Sequence, residues 1–270
     1  LPESHLIEML NKLEYLEMIE FYDVTYNSTA KDDLKLNLNS LKSFEMQLCN
    51  LIIPRTIFRL PNNTLEHLKI QNCVLDKESI TRILASQTNI KDLEFDPYYV
   101  DAKLMAPLQL RKLTLMSKRN AIAIMKTQPN LESLNLTRAL IGDDDFLYIC
   151  KMRKLQSLKL WVDIISYEIL HNLRNLENLR ELSVNYDRLV VEYVTTLSTI
   201  FHPHLTKLEI EFPKLKIQPE HFVAISTNFP NVQHLIVKCQ SIGVIGIILQ
   251  YFRNIKTLSF DCDSDSVKVV

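Results

Sequence analysis

Asp143-Asp144-Asp145 sets three carboxylates side by side, which is the raw material of a metal site. The triplet sits directly ahead of the apolar run that starts at Phe146. It fits better as the acidic first turn of a helix, where the dipole favours negative charge. Asp261-Cys262-Asp263-Ser264-Asp265 copies the opening of a calcium loop. The sixth place, which needs glycine, holds Ser266, and no glutamate closes the loop. His202, His204, His221 and His234 share no tight ligand spacing, so zinc is not expected. Gly243-Val244-Ile245-Gly246 lacks the first glycine of a dinucleotide fingerprint. Cys150 falls on an apolar helical face, a poor place for a thiolate nucleophile. No nucleophile elbow, phosphate-binding loop or zinc-protease motif occurs. The residues point away from catalysis and call for neither cofactor nor metal.

The elements that would have to position any site are bounded by composition. The chain has 270 residues, 47% of them apolar, and a net charge of −1. That leaves ample core material and no electrostatic footprint for nucleic acid or an anionic membrane. Three glycines are few for a phosphate-cradling enzyme. Five cysteines, an odd number without a C-x-x-C pair, fit a reducing compartment and thus a cytoplasmic or nuclear protein. Asn27, Asn62 and Asn135 stand in N-x-S/T matches, which short motifs produce by chance. The most apolar run, Ile242 to Phe252, is too short to span a bilayer. The chain lacks an initiator Met and stops just after a repeat, as expected of a piece of a longer protein.

Eleven segments align in one frame. They begin at Leu13, Leu41, Leu65, Ile90, Leu110, Leu131, Leu155, Leu179, Leu205, Val232 and Ile255. Each has apolar residues at positions 1, 4 and 6, with mostly polar residues between them. That is the alternation of a strand with one buried face. Lys77–Ser86, Asp145–Met152, Tyr167–Leu176, Val191–Phe201, Glu220–Asn228 and Val244–Phe252 carry apolar residues at helical spacing. The short repeats from Ile90 and Leu110 leave room for a brief helix or 3₁₀ turn. A helix also begins at Leu6–Met9. Asp23–Leu38 reads as a polar loop, and Lys214–Pro219 as a smaller one. Asn89, Asn130, Asn178, Asn231 and Asn254 each precede a strand motif, where left-handed geometry would let asparagine end a helix.

The segment Leu65–Leu75 reads L-x-x-L-x-I-x-x-C-x-L, which is the leucine-rich repeat signature. The fold expected is an α/β solenoid of about eleven repeats, a horseshoe with a parallel sheet on the concave face and helices on the convex face. One domain over 1–270 is expected. Repeat length and the cysteines at Cys49 and Cys73, in the ninth motif position, resemble the cysteine-containing repeats of F-box proteins. The ladder diverges elsewhere, with Cys239 and Cys262 one place early, and no F-box is visible. That resemblance implies a non-enzymatic substrate receptor of a ubiquitin ligase, joined to a Skp-type adaptor and a cullin through an F-box outside this sequence. The alternative is a repeat scaffold or sensor domain of an intracellular signalling or innate-immune protein.

Binding residues are expected at motif positions 3, 5, 7 and 8, taken to face away from the core. The middle repeats then offer Glu94, Asp96, Met116, Asn135, Arg138, Lys159, Trp161, Asn185 and Tyr186 to a protein or peptide. Trp161, at position 7, either anchors a partner or packs along the sheet. Asp92, Glu94 and Asp96 beside Lys112, Lys118 and Arg119 either pair across strands or orient a partner as a charged rim.

Overall fold

The structure is a computed structural model. It describes residues 8–27, 37–52, 63–73, 77–96, 100–117, 120–139, 141–186, 190–213, 217–239, 242–262 and 265–269. Two compact units divide the chain, Leu1–Asn130 and Leu131–Val270. In the first unit, β1 (Met18–Tyr22), β3 (Ser43–Gln47), β5 (His67–Gln71), β6 (Asp92–Phe95) and β7 (Lys112–Leu115) pair in that order, all parallel. Among the described residues of this unit, three α-helices return the chain between strands: α1 (Lys77–Ser86), α2 (Ala102–Met105) and α3 (Ala121–Thr127). The two short repeats thus carry α-helix. In the second unit, β8 (Ser133–Leu136), β9 (Ser157–Trp161), β10 (Glu181–Asn185), β11 (Lys207–Phe212), β12 (His234–Cys239) and β13 (Thr257–Cys262) form another parallel series. Its helices are α4 (Asp143–Ile149), α5 (Glu192–Ser198), α6 (Pro219–Asn228) and α7 (Ile245–Tyr251). The eleven parallel strands match the eleven repeats.

Each strand alternates because positions 4 and 6 of its motif sink into the core. Leu158 and Leu160, Leu182 and Val184, and Leu208 and Ile210 are all buried. Position 1 leucines such as Leu65, Leu155 and Leu179 are fully buried. Each buried leucine stabilises the fold by about 2 kcal/mol relative to exposure. Backbone bonds set the register. The Glu66 carbonyl accepts from both Lys91 N, at 2.9 Å, and Asp92 N, at 3.1 Å. The carbonyls of Lys42, Lys91, Glu132, Gln156, Arg180, Thr206 and Gln233 take two N–H groups in the same way, always from motif positions 2 and 3 of the next repeat.

That bond corrects the first repeat. Glu17 O accepts from Lys42 N and Ser43 N, so Glu17 holds position 2 and the motif begins at Leu16. Ile19 then faces Phe44 and Phe21 faces Met46. Leu13 and Met18, expected inside, are 49% and 48% exposed. L-E-M-I-E-F satisfies the same apolar frame as L-E-Y-L-E-M, and only the backbone pairing decides between them.

A second correction concerns position 8, expected to face outward throughout. In the motifs at Leu155, Leu179, Leu205 and Val232 it is held by Val162, Tyr186, Phe212 and Cys239, each no more than 1% exposed, whereas Arg138 of the Leu131 motif is exposed. Val162 N donates to Asn185 O and Tyr186 N to Glu211 O, so the strand and its alternation run on through position 8. Tyr186 is therefore a core residue, stacked on Tyr193 at 4.2 Å and edge-on to Phe212 at 5.8 Å, and does not face a partner. In the first three repeats the chain instead turns out at position 8, where Asp23, Leu48 and Asn72 have φ of 52°, 55° and 51°. The reversal sends position 9 inward. The Cys49 thiol donates to Phe21 O and Gln47 O, and the Cys73 thiol to Gln71 O.

The helices largely follow expectation, with one change of type. Tyr167–Asn175 is a 3₁₀ helix of nine residues. Leu170, Leu173 and Leu176 recur every third residue and are all buried. That strict period of three suits the 3₁₀ winding, which eclipses i and i+3. Asp143, Asp144 and Asp145 form the first turn of α4. The Asp143 carboxylate also accepts from Ser166 N at 2.7 Å and Ser166 Oγ at 2.6 Å, tying one repeat to the next.

The asparagines before the strands do not end helices in left-handed geometry, since none of the five has positive φ. Four of them bond across repeats. Asn89, Asn178, Asn231 and Asn254 donate Nδ2 to Asn63 O, Arg153 O, Pro203 O and Pro230 O, at 2.8 to 2.9 Å. Each acceptor lies two residues ahead of the previous motif. Three places ahead of a motif start sits a buried polar residue in several repeats. Gln87 accepts from Leu65 N at 3.0 Å, and Gln128 from Leu110 N at 3.0 Å. His202 holds the corresponding place in the second unit, 3% exposed, and its ring nitrogens have no hydrogen-bond partner among the described residues.

Other expected features fall as follows. The stretch expected as a polar loop contains β2 (Thr25–Asn27), which pairs in parallel with β4 (Asn50–Ile52) in a small second sheet. Residues 28–36 of that loop, residues 214–216 of the smaller one and Leu6 of the first helix lie outside the described residues; residues 8–11 are helical. A last strand, β14 (Asp265–Val269), runs antiparallel to β13 with Asp265 opposite Cys262. The stretch that mimics a calcium loop is thus the link between two paired strands.

Two substitutions test these readings. Left-handed geometry costs a leucine about 1–2 kcal/mol, and Leu48 is 46% exposed, so truncation loses little packing. Leu48→Asn is expected to raise stability by about 1 kcal/mol in urea unfolding, and an unchanged or lower midpoint counts against the strain. Burial holds His202 below the ordinary histidine range. A folded-state pKa below the unfolded one means that the unfolded chain binds the proton more tightly, so this stability is lost as pH falls below about 6.5. His202→Gln, which copies Gln87 and Gln128, is expected to remove that loss. The gap between variant and parent in unfolding midpoint should widen from pH 7.5 to 5.5, and a constant gap would contradict the assignment.

Candidate functional site

The outward positions of the strands form rows, because parallel pairing puts equal positions side by side. In the second unit the position 5 row runs Asn135, Lys159, Ser183, Glu209, Ile236 and Ser259. The position 7 row runs Trp161, Asn185, Glu211, Lys238 and Asp261. In the first unit the position 5 row is Glu20, Glu45, Lys69, Glu94 and Thr114. These rows carry the chemistry that a partner can reach.

Charge pairing dominates the first unit. Asp92 lies 3.7 Å from His67 Nδ1 and 3.8 Å from Lys112 Nζ, and Glu45 lies 3.8 Å from Lys69 Nζ. Gln71 Nε2 donates to Glu94. The acidic edge thus pairs across strands at Asp92–Lys112. Exposed pairs of this kind contribute about 0–1 kcal/mol and act mainly on register. Lys118 and Arg119, expected beside this edge, lie outside the described residues. Asp96 is exposed and Met116 half-buried just beyond the ends of β6 and β7.

The second unit gathers more of the expected residues. Asn135 is half-buried and accepts from Thr137 N at 3.1 Å and Thr137 Oγ1 at 2.8 Å, so it shapes the turn after β8. Arg138 is exposed on that turn. Lys159 lies 3.7 Å from Glu209. Trp161 is half-buried, with its Nε1 enclosed and unbonded among the described residues. Asn185 Nδ2 donates to Glu211 Oε2 at 2.7 Å. Glu211 holds its proton more tightly than an ordinary carboxylate, first because it is partly buried and then because Glu209 stands beside it; Lys238 and Lys159 pull the other way.

Glu209, Glu211 and Lys238 belong to this face although they are not among the expected binding residues. Their signal is present in the sequence, since they hold positions 5 and 7 of the motifs at Leu205 and Val232. A choice made by residue type in the middle repeats passes them over; following the rows finds them.

Cys150 and Cys73 are poor nucleophiles. Burial pushes Cys150 up to about 12. Burial likewise pushes Cys73 up to about 11. Among the described residues no group of His, Cys, Asp or Glu is arranged to hold a metal ion, and no helix is long and apolar enough to cross a membrane.

No family model matches the chain, and no curated protein matches it. Solved structures do. An internalin, inlF, from Listeria monocytogenes aligns over 82% of this chain and 68% of its own, at 17% identity and a TM-score of 0.51. TLR13, solved in complex with ssRNA13, aligns over 96% of this chain at 16% identity and a TM-score of 0.53. The chain spans 44% of the length of that TLR13 structure. At such identities the likeness concerns fold. Together with eleven parallel strands in one motif frame, it gives this chain the leucine-rich repeat fold.

Proposed function

We propose that this chain is a non-enzymatic protein-recognition array whose outward strand rows hold a protein or peptide. The observation that carries the reading is the outward face of the second unit. There a half-buried tryptophan, an asparagine and a run of charges stand on paired, rigid strands with the core closed behind them. Binding surfaces of this kind gain specificity from preorganised side chains rather than from reaction chemistry. Among the outward residues Glu94, Asp96 and Met116 are assigned to partner binding in the first unit, and Asn135, Arg138, Lys159, Trp161 and Asn185 in the second, with Trp161 as the anchor there.

In its larger setting the array serves as the substrate receptor of an F-box ubiquitin ligase in the cytoplasm or nucleus. Repeat length, the helical returns and the inward cysteines Cys49 and Cys73 support this assignment. The F-box would lie outside the present sequence, and substrate held on the repeats would pass to the ligase through a Skp-type adaptor and cullin.

Affinity capture of the full-length protein from cells tests the setting. The Skp-type adaptor and a cullin are expected among the bound proteins, and their absence overturns the ligase assignment. For the face itself, Trp161→Ala is expected to weaken capture of the bound substrate at least about tenfold, as losing an interface anchor does, with the thermal midpoint little changed. Unchanged capture together with a large drop in midpoint would make Trp161 a structural residue.

A further inference from the structure

Cys49 and Cys73 hold the ninth place of neighbouring motifs, those at Leu41 and Leu65. Both are free thiols. The residues before them, Leu48 and Asn72, have nearly the same left-handed φ, 55° and 51°. The chain therefore turns inward the same way twice, and the two side chains run side by side. Their hydrogen bonds repeat as well. The Cys49 thiol donates to Gln47 O at 3.2 Å and the Cys73 thiol to Gln71 O at 3.1 Å. Gln47 and Gln71 are register partners on β3 and β5. The two sulfurs are thus anchored to equivalent carbonyls on adjacent strands. The Cys49 side chain and backbone N–H both reach the Cys73 sulfur as hydrogen-bonding neighbours.

Adjacent strands are spaced about 4.8 Å apart, and a disulfide joins α-carbons about 4.4–6.8 Å apart. Rotation of the two thiols off their carbonyl acceptors therefore brings them within bonding reach. The thiols differ in access. Cys49 is 1% exposed, whereas Cys73 is half-buried. A small reagent meets Cys73 first, and Cys49 stands behind it as the thiol that resolves the first adduct.

We propose that Cys49 and Cys73 are an oxidisable pair, closing to a disulfide between the second and third repeats when a low-molecular-weight disulfide, oxidised glutathione, reaches Cys73. Cys73 gives its proton to solvent and its sulfur attacks the glutathione disulfide. That S–S bond breaks, and one glutathione leaves as a thiolate and takes up a proton. The Cys49 sulfur, deprotonated in turn, attacks the sulfur of Cys73 in the mixed disulfide and expels the second glutathione. Two cysteine thiols are oxidised, and one glutathione disulfide is reduced to two thiols. Burial, which pushes Cys73 up to about 11, keeps it protonated near neutral pH. The exchange is slow there and quickens as pH rises. In a reducing compartment the pair rests as thiols on their carbonyls.

Tryptic peptides 43–55 and 70–77 each contain one of the two cysteines and no other. The folded 270-residue protein is incubated with oxidised glutathione at mildly alkaline pH. Remaining thiols are blocked with N-ethylmaleimide in urea, and the tryptic peptides are mapped without reduction. The two peptides are expected joined to each other, and to separate on adding dithiothreitol. Cys49→Ser is expected to stop at the glutathione adduct of Cys73. Cys73→Ser is expected to leave Cys49 without glutathione. Circular dichroism checks that both variants fold, and the parent protein decides the question where one does not. The proposal is overturned if both parent peptides carry N-ethylmaleimide, or if the parent stops at the glutathione adduct. It is equally overturned if either cysteine joins a different one, or if Cys49 takes up glutathione in folded Cys73→Ser.

Discussion

One backbone bond recurs along the chain and the rest of the structure depends on it. The carbonyl at motif position 2 accepts two N–H groups from the following repeat, as Gln156 O does from Arg180 N and Glu181 N. No repeat completes its own hydrogen bonds, and none buries its own leucines. Each must therefore offer the same carbonyl at the same place, and this fixes which side chains of the next strand point inward. Repeats that differ widely in length, from the short ones at Ile90 and Leu110 to the long one at Leu205, meet this demand by changing only the returning segment. That segment is an α-helix in most repeats and a 3₁₀ helix over Tyr167–Asn175.

Side chains reinforce the stacking at the helix-to-strand turns. Asparagines donate across repeats, buried glutamines answer a leucine N–H, and Asp143 holds Ser166. These contacts satisfy backbone groups that would otherwise be buried without partners. With stacking settled on the inner face and at the turns, the outer rows are free to vary. A row can be charged, as at Glu209 and Glu211, or aromatic, as at Trp161, without disturbing the core.

Much of this was legible in the sequence, because the leucine spacing is itself the packing rule. Lys77–Ser86 is helical over the residues that its apolar spacing marks. Three features were not legible, each for a physical reason. The start of the first motif was ambiguous because Leu13 and Leu16 both open an apolar frame, and only pairing with Lys42 and Ser43 chooses. The orientation of position 8 depends on one backbone angle. A left-handed residue at Leu48 turns the chain out, while continued extension at Tyr186 turns it in. The burial of Ser183 depends on Lys159 and Glu209 approaching each other from flanking strands, and composition carries no trace of that.

The account's central claim is that motif positions 4 and 6 of the second unit, with position 8 of the motifs at Leu155, Leu179, Leu205 and Val232, hold the fold while positions 3, 5 and 7 are free for binding. Equilibrium unfolding of single lysine substitutions tests it most directly. Ile236→Lys and Ser259→Lys, on the outward row, are expected to stay within about 0.5 kcal/mol of the parent. Val162→Lys and Phe212→Lys, at position 8, are expected to lose more than about 3 kcal/mol, as a buried unpaired charge demands. Equal tolerance at both sets of positions would contradict the account.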